Sequence, residues 1–197
     1  MKKVIIGAFA IGIMTLVLLK FDHMHVSAEE AISHENNVKI IESKDIKNYG
    51  KIVLFEDETF RTFGISRLER KFGFLYQSDG GTFGYSVEAG KPFKATGMGD
   101  HSRFVVAIET APRSKIKYIA LGNHLKGVSQ TAPYHLSLND VKSHSKVYHV
   151  QKVKNRYALF VLNKYTESNW NIRAFDKKGR LVADKLFAGE ARYVNWK

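Results

Sequence analysis

The chain has 197 residues, with 31 Lys and Arg against 19 Asp and Glu, for a formal charge of +12. A hydrophobic content of 44% and a charged content of 25% are ordinary for a folded protein and exclude disorder over most of the length. Cysteine is absent, which removes disulfides, thiolate metal sites, a cysteine nucleophile and a lipidated N-terminal cysteine together.

The N-terminus begins Met1-Lys2-Lys3 and continues with a 16-residue apolar run from Val4 to Leu19, interrupted only by Thr15. A basic start followed by an apolar segment is an export signal. At 1.5 Å per residue the run is about 24 Å long as a helix, short of a hydrocarbon core of roughly 30 Å. Val26-Ser27-Ala28 before Glu29 satisfies the small-residue rule for signal peptidase. Cleavage there is the expectation, with a retained anchor over residues 4–19 as the alternative, because the stretch from Leu19 to the bond is long and holds Lys20 and Asp22. Either way the two lysines stay inside and the rest is extracytoplasmic. Loss of residues 1–28 removes Lys2, Lys3, Lys20 and Asp22, leaving 28 basic and 18 acidic side chains, or +10. An excess of this sign favours anionic partners by long-range attraction. Outside a cell these are phosphate-rich wall polymers or anionic lipid headgroups; a protein partner is the other possibility, and nucleic acid is not expected.

Residues 29–37 are polar and read as a spacer with one helical turn at Glu29 to Ile32. From residue 38 onward a single β-rich domain is expected to run to the end. Val38 to Glu42 and Lys51 to Phe55 (KIVLF) are strands about a turn at Asn48-Tyr49-Gly50. Phe60 to Leu68 alternates, and Phe72 to Tyr76 (FGFLY) is a strand with an internal glycine. Ser78-Asp79-Gly80-Gly81 carries adjacent glycines that permit positive φ, so it predicts a hairpin between Phe72–Tyr76 and Phe83–Val87. Arg103 to Thr110 (RFVVAIET) is nearly continuous in apolar residues, as a strand covered on both faces would be. With Ile116 to Gly122 it predicts a central hairpin across Ala111–Lys115. Leu136 to Leu138 reads as a short strand, and Asn139-Asp140 as the cap of one helical turn. Lys146–Val153 with Tyr157–Leu162, and Asn171–Phe175 with Leu181–Phe187, predict two more hairpins, the last across Asp176-Lys177-Lys178-Gly179-Arg180. Ten or eleven short strands with no long amphipathic helix after Ala28 predict a mainly β fold. Its class is an antiparallel β-sandwich or barrel-like domain after an N-terminal hydrophobic helix.

Candidate chemistry is sparse. Asp100-His101-Ser102 are consecutive, whereas a hydrolytic triad is assembled across space, and no Gly-x-Ser-x-Gly elbow exists. Gly97 and Gly99 precede a strand rather than the helix a phosphate loop requires. Glu56-Asp57-Glu58 lacks the alternation and glycine of a calcium loop. His124, His144 and His149 are the best set for a metal, but no paired motif supports them. The basic cluster Arg67, Arg70 and Lys71 lies beside the aromatics Phe74, Tyr76, Phe83 and Tyr85. Basic groups beside aromatic faces bind anionic polymers by charge and stacking, so these seven residues are the expected ligand surface. No catalytic residue and no cofactor is expected. The predicted function is an exported, non-catalytic, envelope-associated β domain that binds an anionic envelope component or a protein. A histidine-based extracytoplasmic metalloprotein or hydrolase is the alternative.

Three stretches carry a family likeness: MKKVIIGAFAIGIMTLVLL, KIVLFEDETFRTFGISRLERKFGFLYQSDGG and FVVAIETAPRSKIKYIALGN. Through them the chain resembles the small secreted or membrane-anchored proteins of Bacillus-type Gram-positive bacteria, whose function is unknown. The resemblance covers about half the chain and implies an envelope location and an exported β-rich domain. It assigns no site residue.

Overall fold

A computed structural model describes residues 23–32, 38–99, 102–122, 134–163, 171–186 and 189–194. The fold is mainly β and antiparallel throughout. The chain divides into two compact units: the first is residues 1–59 and 66–81, the second residues 60–65 and 82–197. Both lie partly within the stretch the sequence reads as one domain. The predicted N-terminal hydrophobic helix lies outside the described residues, and no described helix is long and apolar enough to cross a membrane.

The first unit is built on a sheet of five strands: β1 (Met24–His25), β2 (Val38–Ile46), β3 (Gly50–Asp57), β4 (Thr62–Lys71) and β5 (Leu75–Tyr85), in the order β1-β5-β4-β3-β2. The ends of β4 and β5 at residues 62–65 and 82–85 are assigned to the second unit. Helix α1 (Ala28–Ile32) starts at Ser27, whose hydroxyl accepts from the Glu30 amide at 3.2 Å. It places Ala31 in a small core with Val53 and Leu68, with Ala28, Ile32, Ile40 and Tyr76 packed around it. The turn between β2 and β3 falls at Asn48-Tyr49, as the sequence predicts, with Asn48 at φ 60°.

Ser78-Asp79-Gly80-Gly81 does not reverse the chain, contrary to expectation, and β5 runs straight through it. Gly80 uses its positive φ of 96° within the strand. The reversal falls earlier, at Phe72 (φ 51°) and Gly73 (φ 82°), closed by the Phe74 amide on the Lys71 carbonyl. Adjacent glycines permit a turn but do not compel one.

In the second unit, β6 (Phe93–Gly99), β7 (Arg103–Thr110) and β10 (Tyr157–Asn163) form a three-stranded sheet in the order β10-β7-β6. The strands β8 (Tyr118–Gly122), β9 (Tyr148–Lys152), β11 (Asn171–Phe175), β12 (Leu181–Lys185) and β13 (Arg192–Tyr193) form a second sheet in the order β13-β12-β11-β8-β9. Phe93, Phe104, Val106, Ile108, Ala158, Phe160 and Leu162 from the first of these meet Ile119, Leu121, Ile172, Ala174 and Ala183 from the other in one core. Each large aliphatic or aromatic side chain there stabilises the fold by about 1.5–3 kcal/mol. The other face of the five-stranded sheet is also covered. Helix α2 (Leu138–Ser143) lays Leu138 and Val141 onto Ala120, Tyr148, Phe175 and Leu181.

This layout corrects two expected hairpins. The runs Arg103–Thr110 and Ile116–Gly122 lie in different sheets, because β7 already has β6 and β10 on its two edges while β8 has β11 and β9. Two strands buried on both faces each need two neighbours, which a lone hairpin cannot supply. The chain changes sheets across Pro112 and Arg113, the latter at φ 60°. Lys146–Val153 and Tyr157–Leu162 likewise belong to separate sheets, joined by a tight turn in which Lys154 and Tyr157 exchange backbone hydrogen bonds. The hairpin of β11 and β12 forms as predicted, with a bulge at Ala174/Phe175. The predicted strand Leu136–Leu138 is instead the start of α2, whose cap is Ser137 with Asp140 completing a capping box.

Candidate functional site

The expected ligand surface divides. Arg67, Arg70, Lys71, Phe74 and Tyr76 lie in the first unit, and Phe83 and Tyr85 in the second. In the first unit basic and aromatic groups do meet: the Arg67 guanidinium stands 4.8 Å from the Tyr49 ring centre and that of Arg70 stands 5.6 Å from Tyr76. Each cation, however, has an acid beside it. Arg67 pairs with Asp79 at 2.6 Å, Lys71 with Glu69 at 2.7 Å, and Arg70 reaches Asp45 at 3.7 Å. The first unit as a whole has ten Lys and Arg against eleven Asp and Glu, a net −1. The second has twenty-one against eight, a net +13. The positive charge of the chain is therefore not dispersed. It belongs to the second unit.

Within that unit, one end of the five-stranded sheet gathers lysines around a pocket of about 190 Å³. Its lining is Tyr118, Ser137, Leu138, Asn139, Lys177, Lys178 and Gly179. Three pieces of chain build it. The β11–β12 turn bends because the Asp176 carboxylate accepts from the Lys178 and Arg180 amides at 2.8 and 3.0 Å and from both Nε and Nη2 of Arg180 at 2.9 and 2.7 Å. Burial works against ionisation of Asp176, but these bonds and the Arg180 charge together hold its carboxyl below the usual range. Asp176 and Arg180 thus neutralise each other inside the turn, and Lys177 and Lys178 are left at its exposed tip.

The turn then docks on the start of α2: Leu138 N–H donates to the Gly179 carbonyl at 2.9 Å, and Ser137 bridges Arg180. Gly179, at φ 76°, has Leu138 so near that a Cβ would lie 3.1 Å from it. The third piece is β8. Tyr118 is the register partner of both Phe175 and Lys152, and directly opposed residues share a face. Lys142, one turn into α2, places its ammonium 5.5 Å from the Tyr118 ring centre. Among the described residues, Lys142, Lys152, Lys177 and Lys178 form no ion pair. Asp140 is the nearby acid, and its carboxylate is engaged by the Ser137 hydroxyl and amide, which hold its pKa below the ordinary value. Four uncompensated ammonium groups beside a tyrosine ring, with Ser137 and Asn139 to donate hydrogen bonds, make a site for an extended anion.

The histidines do not come together among the described residues, where no group of three or more His, Asp or Glu is placed to hold a metal. His144 Nδ1 lies 2.7 Å from the Asp140 carbonyl and 3.1 Å from the Ser143 hydroxyl at the end of α2. His149 lies opposite Leu121 on β9, where burial pushes its pKa down. His124 and the pair Asp100-His101 lie outside the described residues.

No family model, curated protein or solved structure matches this chain.

The lysine site was missed by sequence reasoning, although half its signal was visible. Asp176-Lys177-Lys178-Gly179-Arg180 reads as a turn with two lysines at its tip. Nothing local connects it with Lys142, Lys152 and Tyr118, which come from a helix and two strands as many as 60 positions away.

Proposed function

We propose that the protein is a non-catalytic binding module of the cell envelope whose second unit, with its sandwich-like pair of sheets, holds a phosphate-bearing anionic polymer. The observation that carries this reading is the cluster Lys142, Lys152, Lys177 and Lys178 around the Tyr118 pocket, on a unit with a net charge of +13 and no ion pair to any of the four among the described residues. The exported setting rests on the leader, from Met1 to Leu19. The charge of the whole unit steers a polyanion toward it, and the pocket selects a register by taking one anionic group against Tyr118, Ser137 and Asn139.

The test is sedimentation of the protein with purified anionic wall polymer across a salt series, using a K177E/K178E variant and, as control, K39E/K47E in the first unit. Binding of the native chain and the control should fall together with rising salt, since exposed charges are screened beyond about 8–10 Å at physiological ionic strength. The K177E/K178E variant should bind at least about tenfold more weakly, equivalent to about 1.4 kcal/mol. Equal binding by that variant, or no binding by the native chain at low ionic strength, would end the proposal.

A further inference from the structure

We propose that the tip of the β4–β5 hairpin is seated in the interface of a phospholipid bilayer, beside an N-terminal apolar segment that stays attached as an anchor. The first observation is the tip itself. Phe72 is 79% exposed and Phe74 65%, and between them the chain turns on two residues of positive φ, Phe72 at 51° and Gly73 at 82°. Two-residue turns of this kind favour Asn, Asp or Gly at the first position, because a side chain in the left-handed region is crowded by its own backbone. An aromatic residue placed there gains no packing in the folded chain. Aromatic rings at the end of a protruding turn are suited to the boundary between headgroups and acyl chains.

The second observation is independent of the first. Strand β1 pairs with β5 at His25↔Tyr76 and Met24↔Gln77, so it lies within two residues of Phe74 along the strand. The apolar run ends at Leu19, and the link from there to Met24 spans at most about 17 Å even when extended. The sheet thus holds the end of the apolar run and the hairpin tip within reach of one membrane surface.

The predicted cleavage point, moreover, falls inside a folded element. Helix α1 begins at Ala28; Ser27 caps it through the Glu30 amide, and the Ser27 carbonyl accepts from Ala31 at 3.3 Å. Ala28 packs on the core of Ala31, Val53 and Leu68. Cutting after Ala28 would remove β1, the cap and that contact together, and would bare the outer edge of β5. The fold uses residues on both sides of the bond, which favours retention of the segment over its removal.

The first unit is close to neutral, so this contact is apolar and insensitive to salt. That separates it from the lysine site. Absence of cysteine makes the test direct. Single-cysteine variants F72C and F74C of the full chain, with V147C as an exposed reference, are labelled with a nitroxide. They are reconstituted in phosphatidylcholine vesicles, and collision with oxygen is compared with collision with a water-soluble nickel chelate. Labels at 72 and 74 should favour oxygen at least about threefold relative to the label at 147, at both low and high salt. Equal, water-like accessibility at all three positions overturns the proposal. So does a label at 72 or 74 that is immobilised in detergent without lipid, which would mean a contact with another protein chain. Intact mass of the protein recovered from cells should show a chain that keeps residues 1–28; a folded chain beginning at Glu29 overturns the anchor. Loss of polymer binding in K177E/K178E leaves all of these readouts unchanged.

Discussion

Asp184 is the residue whose removal should cost the second unit most. It lies on β12 with no exposed surface, and its register partner on β11 is Arg173, also fully buried. Arg192 from β13 donates to the Asp184 carboxylate through Nε at 2.8 Å and Nη2 at 3.4 Å. Arg173 donates through Nη1 to the Gly122 carbonyl at 2.9 Å and stands 5.5 Å from the Tyr148 ring centre. Its Nε and Nη2, and the Tyr134 hydroxyl, have no hydrogen-bond partner. Burial first, and the Asp184 charge second, push the Tyr134 hydroxyl pKa well up, so it stays neutral. The cluster therefore holds two guanidinium groups against one carboxylate.

Replacing Asp184 by Asn removes the negative charge without changing the volume. Arg192 is partly exposed and can rehydrate, but Arg173 cannot. Leaving a buried ion uncompensated costs about 3–5 kcal/mol, a third or more of the stability of a typical domain. The assay is urea unfolding followed by circular dichroism, with R173M/D184L as the second variant. Apolar replacement of both members removes the stranded charge, so the double variant should be at least about 2 kcal/mol more stable than D184N. A D184N loss under about 1 kcal/mol, or a double variant no better than the single, would refute the idea that Asp184 compensates Arg173.

Two further predictions concern the same sheet. Gly122 has φ +158°, and a Cβ there would meet the Val147 carbonyl oxygen at 2.2 Å, so G122A should destabilise the chain by about 1–3 kcal/mol in the same assay. The depressed pKa of Asp176 gives stability that is present above the unfolded value near 3.9 and is lost as pH falls through the folded value. Melting temperature measured from pH 6 to pH 2 should therefore drop for the native chain below about pH 4, and D176N should start lower and lose less over that interval.

Strand content was legible because it rests on local pattern. The run Phe104–Ile108 announces a strand buried on both faces, and it is the centre of its sheet. Partnership was not legible. The chain passes from β7 to β8 and from β9 to β10 between sheets, and nothing in Ala111–Lys115 or Lys154–Arg156 distinguishes a change of sheet from a hairpin. The same limit applies to the sites. Basic residues adjacent in sequence to aromatics, Arg67 to Lys71, proved to have acids beside them, and those partners Asp45 and Asp79 come from other strands. The uncompensated lysines are brought together only by the pairing of β8 with β9 and β11 and by the docking of α2. Charge sign was visible residue by residue, but its segregation between two units depended on where the chain divides.

The two passages between sheets also dictate an order of assembly. β7 cannot fill both its edges until β10 exists, and β10 begins at Tyr157, 47 positions after β7 ends at Thr110. β8 waits longer still for β11. As the chain emerges N-terminus first, its most apolar strand stands with an edge open while half the second unit is still unmade. Such an edge recruits other chains as readily as its own, so the period between synthesis of residue 110 and residue 163 is when this protein is most open to aggregation.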